Sequence, residues 1–328
     1  MNKTINISLK MAIFIIVGVA LLCTSLSVGV AYASNYLFDS KEVKYQNDPS
    51  KIKAGNVQDA IDELYAHSRD FNELYTLLNG PIAGIHNSLF RGKVITDYYT
   101  DGTLYTRISS GTFDDLYVGD FIVKNGVNWR IAGFDIYYGK GDTALNTHHA
   151  VIVPDTILTT AQMNETNDTT LKLNPSNVDA QGYPGSKMYN TTLPSVLSTY
   201  ITPVFGSHVL EYKNLLAHKV NTTLTNRYGS ASGGTSSWAW FTRKLDLMNE
   251  NQVTGSIEWS STGYETGIDN VQFPLFRLAP EFVNKQRSWY WLRNVTSASR
   301  FTDVGGSSGS DRGDASISGG VRPYFYID

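Results

Sequence analysis

The feature that most constrains this chain lies near its C-terminal end. Between Asn294 and Ser318 run 25 residues without a single Lys, Glu, Gln, Met or Trp, and Ser, Gly, Asp, Thr and Ala dominate them. A segment of that composition behaves on its own as a flexible polar linker, because it offers too little apolar surface to offset the entropy of ordering it. Here the stretch is bracketed. Trp289, Trp291, Leu292 and Arg293 open it, and Val321, Arg322, Pro323, Tyr324 and Phe325 close it. Aromatic and arginine residues on both sides argue for strands that hold the small side chains between them on a rigid frame.

The remaining composition narrows the function classes. The 328 residues suffice for about two average domains. Their formal net charge of −3 supplies no basic excess to neutralise phosphates, so nucleic acid is not the expected partner. Aromatic residues reach 12%, too many for a disordered chain. Cysteine occurs once, at Cys23, which excludes a disulfide scaffold and a thiolate zinc site.

The other end sets the compartment. Lys3 and Lys10 precede 23 uncharged residues, Met11 to Ala33, and Ala31-Tyr32-Ala33 fits a small-x-small cleavage site. The run exceeds the roughly 7–15 residues of an ordinary signal h-region and can span a bilayer of about 30 Å. Residues 1–33 are therefore a cleaved signal peptide or an uncleaved signal anchor, and the length favours the anchor. Either reading puts the body outside the cytoplasmic membrane, at the cell surface or secreted.

Residues 34–55 are polar, mixed in charge and broken by Pro49 and Gly55, and read as a linker. A helix is expected over 56–79, started by Asn56 with Asp59 at capping-box spacing and stopped by Asn79-Gly80-Pro81. Val57, Ile61, Leu64, Ser68, Phe71, Tyr75 and Leu78 recur at spacings of four and three, the seam of a short coiled coil. Such a helix either packs on its own body or joins copies of the chain, as a trimer, through residues 57–78. Three heptads are marginal alone, so any oligomer must also be held by the body.

From about residue 90 short β-like runs take over. Asn125-Gly126 between apolar runs predicts a hairpin, and His148 to Pro154 reads as a strand. A helix is expected from Leu193 to Phe205, with Thr192 as its cap and Pro194 in its first turn. A second helical pattern covers Val209 to His218, and strands are expected near Gly255–Trp259 and Phe273–Leu278. Helices and strands mixed without a βαβ rhythm give an α+β fold.

Catalytic motifs give no positive signal. HExxH, a Walker loop and GxGxxG are absent. His148 and His149 are adjacent, so on a strand they point to opposite faces and cannot chelate one ion together. Carboxylates such as Asp114, Asp115, Glu258 and Glu265 are plentiful but unpaired by sequence. No enzyme, no metal and no cofactor is expected.

Tyr290-Trp291-Leu292-Arg293, the Ser/Ala-rich middle, then Gly320-Val321-Arg322-Pro323 and Phe325 resemble the variable region of proteins diversified by diversity-generating retroelements. In that family adenines of template codons are randomised, most often in AAY codons. Those codons never yield Lys, Glu, Gln, Met or Trp, the five residues missing here. Gly185-Ser186-Lys187-Met188-Tyr189 and Leu247-Met248-Asn249-Glu250 are similar to gut-bacterial and prophage members, and the likeness spans residues 90–328. Asn56–Leu64 resembles a segment of phage-tail-like and surface proteins of such bacteria.

The resemblance implies a C-type-lectin-like domain over 90–328, related to formylglycine-generating enzymes, with a variable region at 289–326. It implies a hypervariable face that binds a protein or glycan on another cell or phage. The expected face comprises Asn294, Val295, Ser297, Arg300, Thr302, Asp303, Gly305, Ser307, Ser308, Ser310, Asp311, Arg312, Asp314, Ser316 and Ser318. Arg300, Asp303, Asp311, Arg312 and Asp314 have the strongest polar character among them. Trp289, Trp291, Arg293, Arg322 and Phe325 are expected as frame. The Glu-Pro-Asn and Gln-Pro-Asp triplets of calcium-dependent lectins do not occur, and the body lacks the cysteines that formylglycine chemistry needs. A prophage tail-fibre receptor-binding protein is the alternative, disfavoured by the export signal, and an extracytoplasmic glycan-active enzyme is a weaker one.

Overall fold

The computed structural model of the chain describes residues 56–63, 83–221, 237–260 and 271–328. The expected signal or anchor, the linker, the greater part of the 56–79 helix and Glu265 lie outside the described residues. The chain divides into two compact units, Met1–Gly80 and Pro81–Asp328. In the first, residues 57–63 are helical. Asn56 caps them as expected, its Oδ1 accepting from the Asp59 amide at 2.8 Å and its Nδ2 donating to the Asp59 carboxylate at 2.7 Å. Among the described residues no helix is long and apolar enough to cross a membrane.

The second unit is α+β, with short helices around two five-stranded sheets. The strands are β1 (Phe121–Lys124), β2 (Val127–Phe134), β3 (Ala150–Pro154), β4 (Thr159–Ala161), β5 (Tyr212–Ala217) and β6 (Trp238–Arg243). They continue with β7 (Asp246–Leu247), β8 (Tyr290–Val295), β9 (Arg300–Val304), β10 (Ser310–Asp314), β11 (Gly319–Val321) and β12 (Pro323–Ile327). One sheet runs β1-β2-β3-β12-β7 and the other β10-β9-β8-β11-β4, while β5 and β6 form a separate pair. β11 lies parallel to β8, and the remaining strand pairs are antiparallel.

The first sheet follows from local chemistry. Asn125 and Gly126 both take positive φ, 52° and 75°, as the two-residue turn between β1 and β2 requires. β3 and β12 are unbroken apolar runs, and all ten of their residues are buried, as in strands covered on both faces. Pro323, which lacks a ladder donor, occupies the first position of β12. Around them Trp129, Phe205 and Phe325 meet edge to face at 5.1–5.9 Å. Arg130 and Asp155, each 3% exposed, close a two-pronged ion pair with both contacts at 2.6 Å beside this core.

Four expected elements differ in the structure. Val209–His218 is not a helix: β5 pairs with β6, and Tyr212, Asn214 and Leu216 are buried at strand period. Phe273–Leu278 is not a strand. Pro274 begins a helical turn running to Leu278, where a missing amide proton is harmless. Gly255–Trp259 forms bends rather than a strand, because its backbone amides are used by Glu250. The helical stretch expected from Leu193 begins earlier, at Met188, with wide π-type turns at Met188–Thr192 and Leu197–Ile201, so Thr192 lies within it and caps nothing. The two histidines precede β3, where His148 bonds Asp135 at 2.8 Å and buried His149 accepts from the Tyr137 amide at 3.1 Å.

Candidate ligand-binding face

The C-terminal chain enters both sheets in succession. β11 belongs to the second sheet and β12 to the first, and Arg322 is the residue between them. Its guanidinium is 2% exposed and donates to the carbonyls of Pro154 (2.8 Å), Val283 (2.7 Å) and Phe282 (3.0 Å) and to the Tyr290 hydroxyl (3.3 Å). One buried cation thereby ties the end of β3, the turn before β8 and the start of β8 to one point. The other expected frame residues agree with that role. Trp291, Arg293 and Phe325 are fully buried, and Arg293 donates to the Tyr324 hydroxyl at 3.4 Å. Trp291 donates its indole proton to the Ala161 carbonyl at 2.9 Å, and half-buried Trp289 meets its ring edge to face at 5.1 Å.

Two glycines make room for these indoles. A Cβ on Gly313 would lie 2.8 Å from the Trp291 ring, and one on Gly319 would lie 2.2 Å from Trp289. Gly313 falls inside the small-residue stretch, yet side chains are excluded there by packing.

Within that stretch the chain forms a hairpin, β9 against β10, with Val304 opposite Ser310, Asp303 opposite Asp311, Thr302 opposite Arg312 and Arg300 opposite Asp314. The Gly305 amide donates to Gly309 at 2.8 Å across the turn, Asn284 Nδ2 donates to the Gly305 carbonyl at 2.8 Å, and Ser308 sits at φ 72°. Inward and outward residues separate clearly. Ser307, Ser308, Asp311, Arg312 and Ser318 are exposed, while Ser297, Arg300, Gly305, Ser310, Asp314 and Ser316 are half-buried.

Asn294, Val295 and Thr302 are fully buried, which corrects the expected face: these three do not lie on its surface, and Asp303 reaches it with only 6% of its area. The reason is a break in register. β8 and β9 lose step between Trp291 and Val295, and the intervening residues turn to the segment before the Glu250–Thr254 helix. There Arg293 donates its amide to the Met248 carbonyl at 3.0 Å, and Asn294 Oδ1 accepts from the Glu250 amide at 2.9 Å.

Glu250 holds the hairpin from behind. Wholly buried, it accepts from the Trp259 amide (2.9 Å), the Ser260 amide (3.1 Å) and hydroxyl (2.7 Å), and the Ser310 hydroxyl of β10 (2.8 Å). Trp259 Nε1 donates to the Ser310 carbonyl at 2.8 Å, and the Arg312 guanidinium lies over the Trp259 ring at 4.6 Å. Sequence reasoning missed Glu250, Trp259 and Asn284 as supports. The Leu247–Glu250 stretch carried a family likeness but no chemical signal of this role, and neither Trp259 nor Asn284 lies in a recognisable pattern.

Charge on the hairpin divides unevenly. Arg300 pairs with Asp314 at 2.5 Å. Asp303 faces Asp311 across the strand pair, and burial, with that second carboxylate, pushes the Asp303 carboxyl up to about 7. Two open depressions flank the hairpin. One, of about 330 Å³, is lined by Arg300, Asp311, Arg312, Gly313, Asp314 and Ile317. The other, of about 770 Å³, lies at the turn among Glu281, Asn284, Lys285, Arg287 and Gly306–Ser308. Sequence reasoning, which expects no GxSxG, missed that the turn Gly305-Gly306-Ser307-Ser308-Gly309 spells it; the turn joins two antiparallel strands instead of a strand and a helix, so it is no nucleophile elbow.

Compared with protein-family models, with curated proteins and with solved structures, the chain matches none of them.

Proposed function

We propose that this chain is a surface-displayed or secreted ligand-binding protein. Its C-terminal domain is of the C-type-lectin-like kind, and its β9–β10 face is diversified and binds a protein or glycan on another cell or phage. The observation that supports this reading is the division of labour within one short stretch. Exposed small and polar side chains at Ser307, Ser308, Asp311, Arg312 and Ser318 stand on a frame whose large residues are buried. Replacement at the exposed positions leaves the core untouched, as tolerated variation requires.

A glycan-active enzyme is the weaker reading. The opposed Asp303 and Asp311 are the acids that favour it, yet Asp311 opens on a shallow depression without the walls of a glycosidase cleft. Deep sequencing of the codons for residues 289–326 across one population tests the proposal. Substitution at adenine-templated positions is expected to concentrate on the exposed hairpin residues, with Trp291, Gly313 and Gly320–Phe325 constant. A uniform sequence, without a template repeat or reverse transcriptase gene nearby, would overturn diversification.

A further inference from the structure

The hairpin carries a charge that the chain does not neutralise. Asp303 is 6% exposed, and its carboxyl has no hydrogen bond or ion pair among the described residues. Directly opposite stands Asp311, an exposed carboxylate whose one hydrogen bond, 2.8 Å, comes from its neighbour's amide at Arg312. Cross-strand partners hold their Cβ atoms about 4.5–5.5 Å apart, close enough for one cation to reach both carboxylates.

The nearby arginines do not fill the gap. Side chains alternate along a strand, so Arg300 and Arg312 leave the ladder on the face opposite the acid pair, although with Asp311 they border one depression. Arg300 is held by Asp314, and Arg312 lies over Trp259. From β8 the residue opposite Asp303 is Trp291, which is uncharged. Asp311 is thus the charged group that faces Asp303 from the elements packed against it.

We propose that Asp303 and Asp311 together accept a basic side chain, a guanidinium above all, presented by a protein ligand. Two carboxylates side by side match the planar fork of arginine, which donates bidentately and sheds its water more readily than an ammonium does. A neutral sugar offers nothing to balance two negative charges, and an acidic glycan adds to them. A metal ion fits less well. Among the described residues no group of three or more His, Cys, Asp or Glu could hold one, and calcium takes about six to eight oxygens. The inference rests on the reading of the hairpin as the ligand face and sharpens it, naming protein over glycan.

Because burial pushes the Asp303 carboxyl up to about 7, the site is fully charged only on the alkaline side of neutrality. The test uses the full chain in neutral detergent, with N-acetyl-arginine amide as probe and N-acetyl-citrulline amide as its uncharged isostere, read by saturation-transfer NMR. The arginine probe is expected to bind at pH 8 and to weaken about tenfold or more at pH 5.5, as protonation removes one of the two charges. The citrulline probe should not bind. Asp303→Asn and Asp311→Asn should each lose most of the affinity, and exposed Asp311 keeps the test decisive if Asp303→Asn does not fold.

Equal binding of citrulline, or wild-type binding by both variants, would overturn the proposal. So would binding of calcium at the pair with the arginine probe silent. A uniform codon population with arginine binding intact would sink the diversified face while leaving this acceptor standing.

Discussion

The two sheets of the Pro81–Asp328 unit meet at one buried arginine and are built to opposite ends. In β1-β2-β3-β12-β7 the two strands β3 and β12 are apolar throughout, and each contributes five buried residues. In β10-β9-β8-β11-β4 burial falls off toward the edge. β8 is wholly buried, β9 exposes only part of Arg300, and β10 leaves Asp311 and Arg312 in solvent. An edge strand has a free backbone side and, here, side chains that pack on little. The first sheet therefore specifies the fold, and the far edge of the second can change its chemistry while the fold persists. Charged residues on that edge also discourage pairing with a second sheet.

The contrast breaks first at Arg322, where the sheets join. Arg322→Leu removes four hydrogen bonds in a region closed to water, leaving the Val283 carbonyl with the Tyr290 hydroxyl as a donor. It is expected to destabilise the unit by about 4 kcal/mol, since each orphaned buried group costs about 1–3 kcal/mol before relaxation. All six tryptophans of the chain lie beyond residue 81, so urea unfolding followed by tryptophan fluorescence reads this unit directly. Arg322→Lys should recover only part of the loss, because one ammonium cannot reproduce the geometry of the fork. A change below about 1 kcal/mol would mean that the sheets do not depend on this junction.

The next effect is a pH dependence that arises at Asp303 in the second sheet. An acid whose carboxyl is pushed up to about 7 on folding holds its proton in the native state at pH values where the unfolded chain has released it. The native state then binds more protons, so this group's contribution is full below the ordinary carboxylate range and is lost as pH rises through about 7. Asp303→Asn mimics the protonated form. It should match the wild type near pH 4 and exceed it by about 3 kcal/mol at pH 8. Equal stability at both pH values would show that Asp303 ionises freely, and the acid pair would lose its special character.

What the sequence revealed follows the same division. The β1–β2 hairpin was legible because Asn125-Gly126 is local chemistry, and β3 and β12 because unbroken apolar runs admit few alternatives. The Asn56 cap was legible for the same local reason. β5 was misread because Val209, Leu210, Tyr212, Leu215 and Leu216 fit a helical stripe as well as a strand, and only pairing with β6 decides. On the candidate face, the frame was readable from bulky residues. The burial of Asn294, Val295 and Thr302 was not, because it arises from the register break in β8 and from Glu250, both products of tertiary packing. The acid pair was equally hidden, since it exists only in the β9–β10 register.

A smaller effect tests where the tolerant edge stops. Gly313→Ala places a methyl group 2.8 Å from the Trp291 ring, whose indole is fixed by the Ala161 carbonyl. Overpacking of this kind is expected to cost about 2 kcal/mol, measured by the same unfolding. A neutral result would show that the indole yields and that the substitution-tolerant surface extends onto β10 at Gly313.

The smallest effects belong to the turn itself, and their smallness is the point. Ser307 is exposed and makes no side-chain bond among the described residues, so Ser307→Ala should alter stability by no more than about 0.5 kcal/mol. Ser308 differs in backbone alone. It holds φ 72°, a left-handed conformation in which a Cβ is strained and glycine is not. Ser308→Gly should therefore stabilise the unit slightly, by about 0.5 kcal/mol, the release of strain being partly offset by glycine's greater freedom when unfolded. Ser307 and Ser308 border the depression of about 770 Å³ at the turn. Loss of more than about 1 kcal/mol from either change would place the turn among the frame residues, and the boundary between sheet and face would have to be drawn further out.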